Sequence, residues 1–260
     1  MILPLFYSVI NSFKPIEELF LYPPRFYVMR PVFSNYTSLF RLINNLRVPF
    51  SRYAFNSVFV CVVITAGQIL IASAAAYSLS KFKTRISWFF PVVVTSLLFN
   101  STVLAIPQYI ILNALGIVNT YWVYILPSLA SSLGLFLMKQ FMEQMVPDAL
   151  IEAAQIDGAG HFRIFWQIML PLVQPAIITV TIFNFMSVWN EFFMALIFTT
   201  SDSMTPVGVG LLQIVNAMKY SGQYGAMFAA VIIVFLPTFL LYLFLSEKII
   251  VGATSGGVKG

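Results

Sequence analysis

Charged residues are scarce in this sequence. Only 9% of its 260 residues are Asp, Glu, Lys or Arg and 60% are apolar, whereas soluble domains have about 25% charged and 45–50% apolar residues. The chain has one cysteine, Cys61, and one histidine, His161, so it cannot form an internal disulfide and offers no pair of such ligands to a metal. It also lacks the Gly-x-x-x-x-Gly-Lys-Ser/Thr phosphate loop, which argues against ATP hydrolysis by this chain. The scarcity of charge and the surplus of apolar residues exclude an ordinary soluble domain.

The apolar residues form long uninterrupted runs. A helix needs about 20 apolar residues to cross the hydrocarbon core of a bilayer. Five segments meet that length, residues 53–80, 86–112, 120–141, 173–198 and 224–246, and only the fourth carries a formal charge near its centre. Residues 1–13 are apolar but too short, and we interpret them as the end of a first span that is cut short. The pattern predicts an all-α, polytopic transmembrane helical bundle with five clear spans plus this truncated one.

Two polar stretches separate these runs. Residues 14–52 contain five prolines and are predicted to form an exposed loop. Residues 143–171 contain good helix formers and no proline between Pro147 and Pro171, so that loop should be structured. The charge cluster Lys81, Lys83 and Arg85 favours a cytoplasmic position for its side of the membrane.

Within the structured loop, residues 147–160 are typical of a short helix with defined ends. Asp148 is predicted to cap the first free N–H groups, and Gly158 to adopt the left-handed conformation that stops the helix. A second helical stretch is expected over residues 161–169. The small residues Ala153 and Ala154 permit close approach of another surface, and Glu152 offers a carboxylate to an arginine. We predict a docking surface here.

The order of these residues resembles a known family. The run Glu152-Ala153-Ala154-x-x-Asp157-Gly158, followed by Ile168-x-Leu170-Pro171, is similar to the EAA loop of ABC importer permeases. Further stretches resemble the permeases of carbohydrate importers, on the side of the maltose-type G subunit: Ser12-Phe13-Lys14-Pro15, Tyr22-Pro23-Pro24, Asn56-Ser57, Ala76-Tyr77-Ser-Leu, Asn119-Thr120-Tyr121-Trp122, Trp189-Asn190 and the tail from Gly252 to Gly260.

This resemblance implies a fold of the type I ABC importer permease kind over residues 53–246, in the cytoplasmic membrane. The loop 143–171 and the tail 247–260 would be cytoplasmic and the loop 14–52 external, although its six basic residues are unexpected there. Glu152, Ala153, Ala154, Asp157 and Gly158 would couple the chain to a separate ATPase that holds the ATP and Mg²⁺. The implied partners are a second homologous permease, two ATPase subunits, a solute-binding protein, membrane lipid and a sugar-type solute.

Asn190 and Glu191 are the candidate residues for the solute pathway. A carboxylate within a span is expensive and faces the protein interior or a wet cavity; a structural place near the external interface is equally compatible with the sequence. With one carboxylate, no His, Arg or Asp, and a single lysine, Lys139, at the end of a span, an ion-driven secondary carrier or a channel is a weaker alternative. No catalytic set, metal site or nucleic-acid interface is indicated. Polyols, glycerol phosphates and amino acids remain alternative solutes.

Overall fold

A computed structural model of the chain describes residues 3–44, 48–82, 88–99, 101–191 and 193–257. A π-helical turn, Phe165–Met169, and a 3₁₀ turn, Asp202–Met204, accompany the α-helices. In chain order the α-helices are α1 (Leu3–Ser12), α2 (Ile16–Leu19), α3 (Ser34–Asn44), α4 (Phe50–Lys81), α5 (Phe89–Ser96), α6 (Ser101–Ala114), α7 (Trp122–Leu129), α8 (Ser132–Met145), α9 (Asp148–Ile156), α10 (His161–Ile164), α11 (Leu170–Leu172), α12 (Gln174–Trp189), α13 (Phe193–Phe198), α14 (Val207–Tyr220) and α15 (Tyr224–Gly257).

Several helices are long and apolar enough to cross a membrane. Three described segments meet the length and composition of a span: Phe50–Lys81, Trp122–Met145 and Tyr224–Leu245. The helices His161–Leu172 and Gln174–Trp189 meet that criterion only when they are taken together, and they meet at a bend of 77°. The described residues form helices and turns without a β-strand, and the protein is a multi-pass α-helical membrane protein.

Two predicted spans are interrupted. Residues 86–112 contain α5 and α6 rather than one helix, because the backbone after α5 tightens into bonds between residues three apart, such as Leu98 N–H to the Thr95 carbonyl. The fourth predicted span, 173–198, contains α12 and the short α13. Hydropathy measures how apolar a segment is but not whether its helix is continuous. Lys83 and Arg85 of the predicted cytoplasmic cluster lie outside the described residues.

The chain divides into two compact units. The first takes its residues from Met1–Phe59 and Trp189–Leu240. Its core contains alanine and larger aliphatic side chains from α3, α14 and α15. The buried members are Leu39, Ile43, Ile214, Met218, Ala226, Ala229 and Ala230. The segment 14–52, predicted to be a loop, therefore contributes a helix to this core: Leu39 and Ile43, one turn apart on α3, are buried.

Helix α14 was not predicted, and side chains at the start of α4 fix the segment before it. Asn56 donates from its side-chain amide to the carbonyls of Ser203 and Thr205, each at 2.9 Å. Ser57 accepts the backbone N–H of Val207 at 2.8 Å. Gly210 of α14 lies under the ring of Tyr53, where a Cβ would come within 3.1 Å of ring atoms. The polar pair Asn56-Ser57 thus anchors the entry to α14.

The second unit takes its residues from Val60–Val188 and Leu241–Gly260. Its core joins α4, α5, α8, α9, the residues 164–169 and α12. Its buried members include Ala76, Tyr77, Met138, Met142, Ile151, Ala154, Ile164, Met169 and Val173. The short helix α9 is therefore packed directly on helices that have the length and composition of spans.

Candidate functional site

Helix α9 ends in the motif that the sequence predicted. Gly158 has a φ of +78°, in the left-handed region. Its N–H donates to the carbonyl of Gln155 at 3.0 Å, and the N–H of Ala159 donates to the carbonyl of Ala154 at 2.9 Å. This pair of bonds is the Schellman motif, which satisfies the last carbonyls of a helix. The prediction that Gly158 stops the helix is confirmed.

The predicted cap at the other end is wrong. Pro147 occupies the N-cap position with an extended backbone, φ −62° and ψ 141°, and Asp148 is the first residue of the helix. The Asp148 carboxylate accepts instead from the Lys81 ammonium, with Oδ1 and Nζ 2.7 Å apart. A charged donor is a stronger partner than a neutral backbone N–H. The negative charge still lies in the first turn of α9, where it suits the helix dipole.

Lys81 anchors the segment that enters α9. It is the last residue of α4, and its side chain is only 5% exposed. Its Nζ donates to the carbonyl of Val146 at 2.5 Å in addition to Asp148. Lys81 thus connects the C-terminus of one helix to the N-terminus of another, with its positive charge at the favourable end of α4. Sequence reasoning used Lys81 as a marker of topology and missed this contact; a basic residue in the last turn of a span was the available signal.

Helix α9 has an inner and an outer face. Ile151 and Ala154, three residues apart, are buried in the core of the second unit. Glu152, Ala153 and Ile156 are exposed, Ile156 to 86%. The predicted small-residue patch is therefore divided, because Ala154 packs inward while Ala153 faces outward. The outer face offers a carboxylate, a small residue and an uncovered apolar side chain.

A second helical arm connects α9 to α12. The prediction of a helical stretch over residues 161–169 is confirmed, with α10 continuing into the π-helical turn Phe165–Met169. Phe165 packs against Tyr77 of α4, with ring centroids 5.7 Å apart. His161 is exposed and its ring meets that of Phe82 edge-on at 5.0 Å. In the part of the chain that the structure describes, no three His, Cys, Asp or Glu side chains form a metal-binding group.

Asn190 and Glu191 belong to the first unit, between α12 and α13. Both are exposed. The Glu191 carboxylate accepts the backbone N–H groups of Phe193 at 2.9 Å and Met194 at 3.1 Å. It therefore satisfies two of the free donors at the start of α13, a structural role that accompanies any role in a solute pathway.

Comparison with known proteins places these features in a family. The family of binding-protein-dependent transport system inner membrane components matches residues 68–246, which include α9 and the arm that follows it. In sequence, the chain is 31% identical to Protein LplC of Bacillus subtilis over 100% of this chain and 90% of that protein. It is 31% identical to the polygalacturonan/rhamnogalacturonan transport system permease protein YtcP of the same organism, over 100% and 93%.

A third relative is the arabinooligosaccharides transport system permease protein AraQ of Halalkalibacterium halodurans, 32% identical over 79% of this chain and 73% of that protein. In structure, the chain is similar to one in a bacterial ABC transporter involved in the import of the acidic polysaccharide alginate. The TM-score is 0.80 with 21% sequence identity, and the match covers 95% of this chain and 90% of the other. At this identity the likeness concerns the fold.

Proposed function

Because the chain belongs to the family of binding-protein-dependent transport system inner membrane components, we propose that it is the permease subunit of an ABC importer that carries a sugar or oligosaccharide across the cytoplasmic membrane. Relatives named for arabinooligosaccharide and for polygalacturonan or rhamnogalacturonan transport support a carbohydrate as solute. The partners are a second permease, two ATPase subunits that bind ATP and Mg²⁺, and a solute-binding protein. The chain itself catalyses no reaction.

The observation that carries the proposal is the two-faced packing of α9. Its outer face, with Glu152, Ala153 and Ile156, is free for a partner, while Ile151 and Ala154 are fixed to the core of the second unit. A force applied to the outer face would reach α4 through Lys81 and α12 through the arm 161–172. Closure of the ATPase pair would in this way be converted into movement of the spans.

Charge reversal at Glu152 tests this coupling. Glu152→Lys places a cation opposite the arginine that we expect on the ATPase. Like charges at a desolvated contact cost several kcal/mol. We expect sugar uptake to be lost and the ATPase to be released or uncoupled, while the permease still inserts. Gln144→Lys, an exposed position on α8, is the matched control and should leave both unchanged. Normal uptake and normal co-purification of the ATPase with Glu152→Lys would reject the coupling role.

We also propose that Asn190 and Glu191 contribute to the solute pathway, which their exposure at the break between α12 and α13 supports. Two changes at Glu191 separate this role from its capping role. Glu191→Gln keeps an oxygen for the Phe193 and Met194 N–H groups but removes the charge, whereas Glu191→Ala removes both. Impaired uptake by Glu191→Gln in a fully assembled complex is the expected result. Wild-type uptake by Glu191→Gln together with a destabilised Glu191→Ala complex would leave capping as its role.

A further inference from the structure

The segment between α2 and α3 combines exposed apolar side chains with basic residues. Residues 20–30, here called the aromatic–arginine loop, expose six large apolar side chains and contain two arginines, Arg25 and Arg30. The exposed apolar side chains are Phe20, Leu21, Tyr22, Phe26, Tyr27 and Met29, with Tyr22 exposed to 95%. Exposed aromatic side chains next to basic residues, outside the spans, are typical of segments that lie at a membrane surface. We propose that this loop inserts its aromatic side chains at the membrane surface and binds anionic phospholipid headgroups through its arginines.

One contact within the first unit places the loop at the end of a candidate membrane span. The ring of Phe20 meets edge-on that of Tyr224, with centroids 5.3 Å apart. Tyr224 is the first residue of the segment Tyr224–Leu245, which is apolar and long enough to span a bilayer. Tyrosine is enriched at such span ends, where its ring lies among the headgroups. Phe20 therefore lies next to the interface.

The loop also folds back along α1. The Phe26 ring lies 5.4 Å from the ring of Tyr7 on α1. Tyr7 is five residues before Ser12, the last residue of α1, and so lies about 7.5 Å back along the helix axis. On α1 itself Leu3, Phe6 and Val9 are exposed. The apolar side chains of the loop thus continue the apolar surface of α1, which favours lipid as their common environment.

Hydrogen bonds hold the loop in one conformation. The Glu18 carboxylate accepts the backbone N–H groups of Met29 at 3.0 Å and Arg30 at 2.9 Å and so closes the loop. Lys14, only 2% exposed, donates from Nζ to the carbonyl of Arg25 at 2.5 Å. Asn35 donates to the carbonyls of Ser12 and Lys14. An ordered loop loses less conformational entropy when it binds.

The charges of the segment match an anionic surface. Residues 14–52 contain six basic and two acidic residues, a net charge of +4, against +5 for the whole chain. Glu18 is engaged with the loop backbone, which leaves Glu17 on α2 as the other acidic residue. The Arg25 guanidinium lies 5.8 Å from the Tyr27 ring centroid and donates to the Met29 sulfur, and neither contact neutralises it. Among the described residues Arg30 has no ion pair. One guanidinium group can donate two hydrogen bonds to two oxygens of the same phosphate.

The test uses the full chain in its assembled transporter, so that any surface covered by another subunit stays covered. An environment-sensitive fluorophore is attached at Tyr22→Cys in a Cys61→Ser background. The complex is reconstituted in equal mixtures of phosphatidylcholine and phosphatidylglycerol, in which one lipid or the other carries a brominated quencher. We expect quenching by both lipids, several-fold stronger when phosphatidylglycerol is brominated.

Arginine variants identify the source of the preference. Arg25→Gln with Arg30→Gln should abolish the preference for phosphatidylglycerol yet keep quenching by phosphatidylcholine, because the aromatic side chains remain. Arg41→Gln, an exposed arginine on α3 outside the loop, is the matched control and should keep the preference. Absence of quenching by either lipid would assign the loop to water or to a protein partner and overturn the proposal. Equal quenching by both lipids would overturn it as well.

Discussion

Helix α9 in the second unit and the aromatic–arginine loop in the first are held by the same kind of bond. In each, a lysine at or just beyond a helix end, Lys81 or Lys14, donates from a buried Nζ to a backbone carbonyl at 2.5 Å. The surfaces they hold are opposite in charge. Lys81 pairs with the acidic Asp148, and the outer face of α9 carries Glu152; Lys14 bonds to the carbonyl of Arg25, in the loop that also contains Arg30. The same lysine-to-carbonyl bond thus holds two different surfaces. The acidic outer face of α9 suits the basic protein partner that we propose, and the aromatic–arginine loop suits the anionic lipid that we propose.

The strongest test of this contrast is topological. We predict that α9 lies in the cytoplasm and α3 outside. Gln144 lies at the end of α8, four residues before α9, and Ser34 is the first residue of α3; both are exposed. Single cysteines at these two positions should therefore label from opposite sides of the membrane. An impermeant maleimide added to intact cells should label Ser34→Cys and not Gln144→Cys, in a Cys61→Ser background, with permeabilised cells as control. Labelling of both from the same side would refute the arrangement.

Gly225→Ala should destabilise the first unit and leave the packing of α9 in the second unit unchanged. A Cβ at this position would meet the side-chain amide of Asn35, which donates to the carbonyls of Ser12 and Lys14. Overpacking costs about 1–3 kcal/mol, and each lost hydrogen bond adds about 1 kcal/mol. We expect a lower thermal unfolding midpoint and faster hydrogen exchange in the loop 20–30. Unchanged exchange in the loop would show that Asn35 does not hold it.

Lys81→Met and Lys14→Met compare the two anchors directly. Each change keeps most of the side-chain volume but leaves a carbonyl without its donor, which costs about 1–3 kcal/mol if the group stays buried. Hydrogen exchange should increase in α9 for Lys81→Met and in the loop 20–30 for Lys14→Met. An increase in both segments from either change would contradict the independence of the two anchors.

A β-branched residue at Gly158 should lower the stability of α9 somewhat less than Lys81→Met does, and it should affect α9 only. The left-handed φ of +78° costs an L-residue about 1–2 kcal/mol, so Gly158→Val should loosen the helix end and reduce uptake. Gly160→Ala is the matched control, because Gly160 has a φ of −73° and open space at its Cβ position. Equal uptake by the two variants would show that the helix stop is not needed for coupling.

Asp148→Asn should have the smallest effect. The Asp148 side chain is 78% exposed, and ion pairs of this kind contribute about 0–1 kcal/mol. Lys81 would keep its bond to the Val146 carbonyl, so the unfolding midpoint and uptake should stay near those of the wild type. A loss as large as that of Lys81→Met would mean that the ion pair, rather than the buried carbonyl contact, holds α9.

Part of the candidate site was predictable because its determinants are local. The left-handed stop at Gly158 depends on the conformational freedom of one residue, and the helix before it on the neighbouring side chains. Asp148 was assigned a cap because its sequence position fits one, but the competing partner, Lys81, comes from 67 residues earlier in the chain. Ala153 and Ala154 were grouped by composition, and only packing separated the exposed residue from the buried one.

The sequence by itself determined that this is a multi-pass helical membrane protein, because the length and apolarity of a run decide whether a helix is stable in hydrocarbon. It also determined the family, through the ordered residues of the loop 143–171. The tertiary structure decided the break between α5 and α6, the helices α3 and α14 in the first unit, and the two lysine anchors. These depend on partners distant in sequence, such as Val146 for Lys81 at a separation of 65 residues, and periodicity reports only on neighbours along the chain.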